Sequence, residues 1–161
     1  MDCPACHRTL RSMNAGGVNV DVCSDGCGGI WFDQYEFKKF DEPNEVAGAA
    51  LLDVWRDPDV RVDTSRRYRC TKCPDSVLMR HFSSAKQAVV VDECPTCAGV
   101  WLDLGELRKI RSEFPSEEAR RQAAQAHLKL MLGDEMDAIR AENAERRAMA
   151  QRLSNILMRP V

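Results

Sequence analysis

The sequence predicts a small metal-bound α+β protein: two β-hairpin modules closed by cysteine knuckles, each followed by a short helix, and then a long α-helical tail. Three observations predict it. Eight cysteines fall into two groups of four, each group made of two close pairs. A Trp, an Asp two residues later and a Glu three after that follow each group, as Trp31, Asp33 and Glu36, and again as Trp101, Asp103 and Glu106. Residues 116–158 are rich in Ala, Glu, Arg, Leu and Met, which favour helix. A repeat on this scale reads as two copies of one supersecondary unit.

Residues 1–40 form the first module. Cys3 and Cys6 open it, and Cys23 and Cys27 close it. Between them, Gly16-Gly17 is a turn signal, and Val18, Val20 and Val22 alternate as in a half-buried strand. The last pair has three intervening residues where the others have two; Gly26 is expected to absorb the extra one. Cys27 stands as far from Trp31 as Cys97 from Trp101, so Cys23 is the less secure ligand of the four. After the Trp, Asp33 and Glu36 have the spacing of a capping box, in which an Asp cap and a Glu three residues on satisfy the free amides of a first helical turn.

Residues 41–65 form an acidic connector, with two basic and seven acidic residues. A short helix is expected from Val46 to Trp55, stopped by Pro58 and its polar surroundings. Residues 66–114 repeat the first module with Cys70, Cys73, Cys94 and Cys97. Met79–Phe82 and Ala88–Val91 read as strands around a polar loop, and Leu107, Ile110 and Phe114 recur at helical spacing. Asp103 and Glu106 take the capping-box positions.

The tail, residues 115–161, is one helix or a hairpin, with Gly133-Asp134 as the candidate turn. A hairpin would place Asp134 and Asp137 at an acidic tip like that of factors entering the RNA polymerase secondary channel, against the simpler reading of an ordinary acidic helix turn. Leu132, Met136, Ile139, Asn143, Arg146, Ala150, Leu153 and Leu157 follow a 4-3 spacing, the pattern of a coiled-coil seam or of a helix packed on its own protein. A homodimer through this tail is one expectation.

Two cysteine pairs separated by about 15–20 residues have the spacing of tetrahedral zinc sites, because a short turn delivers two thiolates from one knuckle. Each group supplies four ligands, which suits a structural zinc rather than a catalytic one with an open position. Modules of about 40 residues bury little apolar surface, and a structural zinc contributes on the order of 10 kcal/mol to folding. A redox dithiol and an iron–sulfur cluster are the other cysteine chemistries, and His7 and His81 are spare donors. No basic leader, apolar core region or membrane-length apolar run is visible, so a reducing cytoplasm is the expected setting.

Both modules resemble the bacterial transcription factor IIB-type zinc ribbon, with its pattern CPxC, a hairpin, then CPxCxGxWLDxGEL. Here "CPTCAGVWLDLGEL" fits closely, while "CTKCP" lacks the Pro between the cysteines. The first copy has "CPAC" and "GIWFD" but the longer knuckle, and Gln34-Tyr35 in place of Leu104-Gly105. The resemblance implies two zinc ribbons and a non-enzymatic binding module. The ribbon that lends the family its name contacts RNA polymerase. It does not cover the connector or the tail.

The overall charge of -2 excludes a whole-protein basic footprint. Arg66, Arg67, Tyr68, Arg69 and Lys72, leading into the second module, are the candidate nucleic-acid contacts: the cations for phosphate and the Tyr for base stacking, against the reading of a solvated strand edge. A protein partner is the main expectation. A hydrolase using the repeated carboxylates, or a redox protein using the cysteine pairs, is the alternative, but no nucleophile or His base accompanies the carboxylates in sequence.

Overall fold

The structure, a computed structural model, describes residues 1–41 and 46–157, with side chains of 46–47, 134 and 152–157 outside the description. Two compact units are present, Met1–Arg121 and Gln122–Val161.

The first unit is built on six strands: β1 (Arg11–Ala15), β2 (Val18–Val22), β3 (Ile30–Phe32), β4 (Met79–Phe82), β5 (Val90–Glu93) and β6 (Val100–Leu102). They form one antiparallel sheet in the order β1-β2-β3-β6-β5-β4. Each copy contributes three strands. The seam between copies is β3–β6, where Trp31 pairs with Trp101, Ile30 with Leu102 and Phe32 with Val100. That register centres a local two-fold on the two tryptophans.

The first hairpin turns at Gly16-Gly17, with φ of 61° and 87°. Two positive φ values make the type I′ geometry that matches strand twist, and glycine reaches it without strain. Asn14 caps this turn, its Oδ1 accepting from the Gly17 N–H.

The seam strands were not anticipated. The segment after the second cysteine pair was expected to open a helix directly; it first crosses the sheet as a strand, and all three residues of β3 and of β6 are buried. Alternation explains the burial, because successive side chains point to opposite faces. Ile30, Phe32, Val100 and Leu102 enter an aliphatic core with Val20, Val91, Phe40, Leu51, Leu107 and Ile110. Trp31 and Trp101 enter a second core on the other face, with Leu10, Tyr68, Leu78 and the cysteines.

The elements covering the aliphatic face differ between copies. The second copy continues into α1 (Glu106–Glu113), which buries Leu107 and Ile110. The first copy has only a 3-10 turn, Phe37–Lys39, so its expected helix is shorter and tighter than the pattern implied. The connector helix is likewise 3-10, from Val46 to Asp53, and it inserts Leu51 into the core. Farther along, Val60 and Val62 lie against the cysteine face. The connector is therefore packed along both cores rather than strung between modules. Trp55, expected at the helix end, lies beyond it and is exposed.

Helix α2 runs from Glu117 to Leu157 without a break. Gly133-Asp134 is helical, so there is no hairpin tip at that point; the Asp134 side chain lies outside the described residues. Among the described residues, no helix is long and apolar enough to cross a membrane.

Candidate metal centres

The sheet brings the eight cysteines together as two sets of four. In each set, Cys3/Cys6/Cys23/Cys27 and Cys70/Cys73/Cys94/Cys97, all four Sγ atoms lie within 4.8 Å of one another. Cys23 takes its place in the first set despite the longer knuckle. Individual Sγ–Sγ separations are 3.6 Å for Cys3–Cys27, 3.4 Å for Cys6–Cys23 and 3.7 Å for Cys70–Cys97. A disulfide is about 2.05 Å long; these thiols are free. Four thiolates about 2.3 Å from a zinc stand about 3.8 Å apart in a tetrahedron. The two sets fit two structural zinc ions, with every position filled by protein.

Local backbone geometry shapes the knuckles. The residue after the second cysteine takes a left-handed conformation in three of them: His7 (φ 63°), Gly28 (φ 78°) and Ala98 (φ 52°). Its N–H reaches back to the first cysteine's carbonyl, as His7 to Cys3 and Ala98 to Cys94. In the fourth knuckle Pro74 holds that place, and proline cannot adopt positive φ. There, N–H groups of Lys72 and Cys73 donate to Cys70 Sγ. The expectation for Gly26 changes: its φ is not positive, and Gly28 supplies that conformation. A Cβ on Gly26 would instead lie 3.0 Å or less from Cys6 and Cys23 Sγ, so Gly26 is there for close approach to sulfur.

Crowding drives the thiols' proton affinities apart. Hydrogen bonds donated to Cys23 and to Cys27, and then burial, raise the Cys3 thiol far above its ordinary range. Donating to Cys23 pushes Cys27 up to about 12, while accepting from Cys27 and Cys3 lowers Cys23 to about 2. Burial pushes Cys70 up to about 12. At Cys94 burial opposes ionisation, but the N–H groups of Cys97 and Thr96 outweigh it and the thiol falls to about 7. Crowded thiols cannot ionise together unless a cation sits among them.

The Trp-Asp-Glu segments are hydrogen-bonded within themselves. Trp31 Nε1–H donates to Asp33 Oδ1 at 3.0 Å, and Trp101 Nε1–H to Asp103 Oδ1 at 2.9 Å. Glu36 and Glu106 accept the N–H of Asp33 and Asp103 at 2.9 and 2.8 Å. Only half of the expected capping box forms: each Glu reaches back, but each Asp holds its own indole instead of capping a helix. Gly105, in the left-handed region, precedes α1 without a side-chain cap. The tryptophans lie on the cysteine face, each against the other copy's glycine. A Cβ on Gly29 would overlap the Trp101 ring, and one on Gly99 the Trp31 ring. Those glycines were legible: both copies carry Gly two residues before the Trp.

Burial pushes the Glu106 carboxyl up to about 7, with Asp103 and Asp92 adding to the rise against the Asp103 N–H and Lys109. Asp92 shares a buried network with Arg80, whose guanidinium bonds Asp92 Oδ1 at 3.1 Å and lies 5.8 Å from the Tyr68 ring centre.

The five candidate nucleic-acid contacts separate. Arg66, Arg67 and Arg69 are exposed. Tyr68 is 4% exposed and donates its hydroxyl to Asp103 Oδ2 at 3.2 Å, so it is core and offers no face to a base. Lys72 is ion-paired to Asp33 across the two copies. His81 bonds Glu93 at 2.8 Å and is no metal ligand.

A family model described as "Transcription factor zinc-finger" matches residues 2–41 and 69–113, more than half of the chain. This chain belongs to the transcription factor zinc-finger family. No curated protein and no solved structure matches it. The two matched blocks are the two ribbons, each with one cysteine set, and the chain is a tandem zinc-binding module of that family.

Proposed function

We propose that this tandem zinc ribbon is a non-catalytic interaction factor of the cytoplasm that grips an acidic protein surface of the transcription machinery, RNA polymerase first. The observation that carries the reading is a cleft of about 370 Å³ between the first knuckle of each ribbon. Pro4, Ala5 and His7 line it with Arg66, Arg67 and Arg69. Rigid backbone and three guanidiniums suit carboxylates, which arginine binds in bidentate fashion.

A protein fits this cleft better than a nucleic acid. Tyr68 is buried beneath it, so no aromatic face is on offer for stacking. The absence of catalysis is supported by the repeated carboxylates, each engaged by an indole or a backbone amide. The link to transcription rests on the family description.

The test is binding of the zinc-loaded chain to purified RNA polymerase, with capture from native cells before and after nuclease. The expected result is a nuclease-resistant protein complex that is lost in the Arg66→Glu/Arg67→Glu/Arg69→Glu variant. Capture that disappears with nuclease and falls steeply with salt would assign the cleft to nucleic acid instead.

A further inference from the structure

The second unit carries a feature that the ribbons do not use. Along α2, Leu132 is 41% and Ile139 55% exposed, although both are large and apolar. With Met136 they follow a 4-3 spacing that the sequence continues through Ala150, Leu153 and Leu157. Taking Leu132 and Ile139 as d positions of a heptad makes Met136, Asn143 and Ala150 a positions.

That register fixes the flanks. Glu135 and Glu142 fall at g, and Arg140 and Arg147 at e. In a parallel pair each g residue faces the e residue five positions on in the other chain. Glu135 then meets Arg140, and Glu142 meets Arg147, on both sides of the seam. An antiparallel pair would bring Glu to Glu and Arg to Arg. Asn143, at an a position, is the residue type that specifies two strands in register. Arg146 stands at d, and its guanidinium bonds Oε1 of Glu142, at g, at 2.7 Å.

We propose that α2 pairs with α2 of a second copy as a parallel, in-register, two-stranded coiled coil over residues 132–157, joining two tandem ribbons into one bivalent molecule. The inference is independent of which partner the ribbons bind. It adds avidity to whatever they contact, because the second engagement becomes intramolecular.

Sedimentation equilibrium of the zinc-loaded full chain, from low micromolar concentration upward, tests it. A reversible dimer is expected. Ile139→Asp should weaken dimerisation at least about tenfold, and Asn143→Ile should tighten it by a similar factor and admit higher oligomers. A reversible gain in association with unchanged helix content by circular dichroism separates tighter pairing from aggregation, so the second variant guards the first. Glu135→Arg/Glu142→Arg should weaken the dimer, and adding Arg140→Glu/Arg147→Glu to the same chain should restore it. A chain that stays monomeric throughout, or a dimer indifferent to Ile139→Asp, overturns the proposal. An association untouched by the double charge reversal overturns the parallel arrangement.

Discussion

The two ribbons share a motif and differ in how they finish it. In the second, the turn after the Trp strand passes through Gly105 at φ 82° and continues into α1. In the first, the same turn position is Tyr35 at φ 67°, and only a 3-10 turn follows. Asp103 is held by the buried Tyr68 hydroxyl, Asp33 by the exposed Lys72. What does not differ is equally instructive. Both ribbons gather four sulfurs, both lock the indole to the Asp and the Glu to the Asp amide, and both offer a glycine to the other's tryptophan. The shared set lies at the metal and at the seam between copies. The divergent set lies at the outer edges, where a helix or a coil serves equally to cover the aliphatic face.

The comparison can be broken most severely at the metals. Chelation should unfold the first unit, since the loss of metal binding is on the order of 10 kcal/mol and rivals the whole stability of a small domain. Cys94→Ser is the sharper form. Because β6 pairs with β3, loss of the second zinc should disorder the first ribbon as well, seen as collapsed amide dispersion in both copies by NMR. A first ribbon with an unchanged spectrum would mean that the two fold independently.

Next in size is the seam. Gly29→Ala and Gly99→Ala should each cost about 3 kcal/mol by driving a methyl into the facing indole. Tryptophan fluorescence should shift in both, and equal losses would verify the local two-fold.

A smaller effect separates the carboxylates. Glu106 titrates at about 7 in the folded protein, above the ordinary value near 4.3 for an unfolded chain. The folded state therefore holds this proton more tightly, and the stability it confers is lost as pH rises through 7. Glu106→Gln keeps an acceptor for the Asp103 N–H without the charge. It should raise stability by about 1–2 kcal/mol at pH 8, after allowance for screening. Melting curves should show the advantage over the parent shrinking toward pH 6. The smallest effect is at the turn. Tyr35→Gly should gain and Gly105→Ala should lose about 1 kcal/mol each, because only glycine enters the left-handed region without strain.

Much of the metal site was legible because cysteine spacing is a local code: a knuckle is four or five residues long, and its ligands can be read from the chain. The hairpin at Gly16-Gly17 was legible for the same reason. Strands β3 and β6 were not. Three residues are too few for a periodic signal, and "IWF" and "VWL" become strands by pairing with β2 and β5 of their own copies and with each other. Tyr68 looked like a surface aromatic between arginines, yet the chain around it lies along the metal face and places it under Asp103. Gly28 rather than Gly26 takes the positive φ, because glycines two residues apart around one cysteine are indistinguishable without the backbone angles.

By itself, the sequence determined the number of modules, the eight ligands, the metal type and the helical character of the tail. All of these follow from short-range chemistry: thiolate donors at knuckle spacing, turn residues, and helix-forming side chains. Only the tertiary structure decided that the two ribbons share one sheet, that each tryptophan rests on the other ribbon's glycine, and that the connector belongs to the core. Those outcomes depend on which apolar faces meet, and a chain reveals its faces only once it has folded against itself.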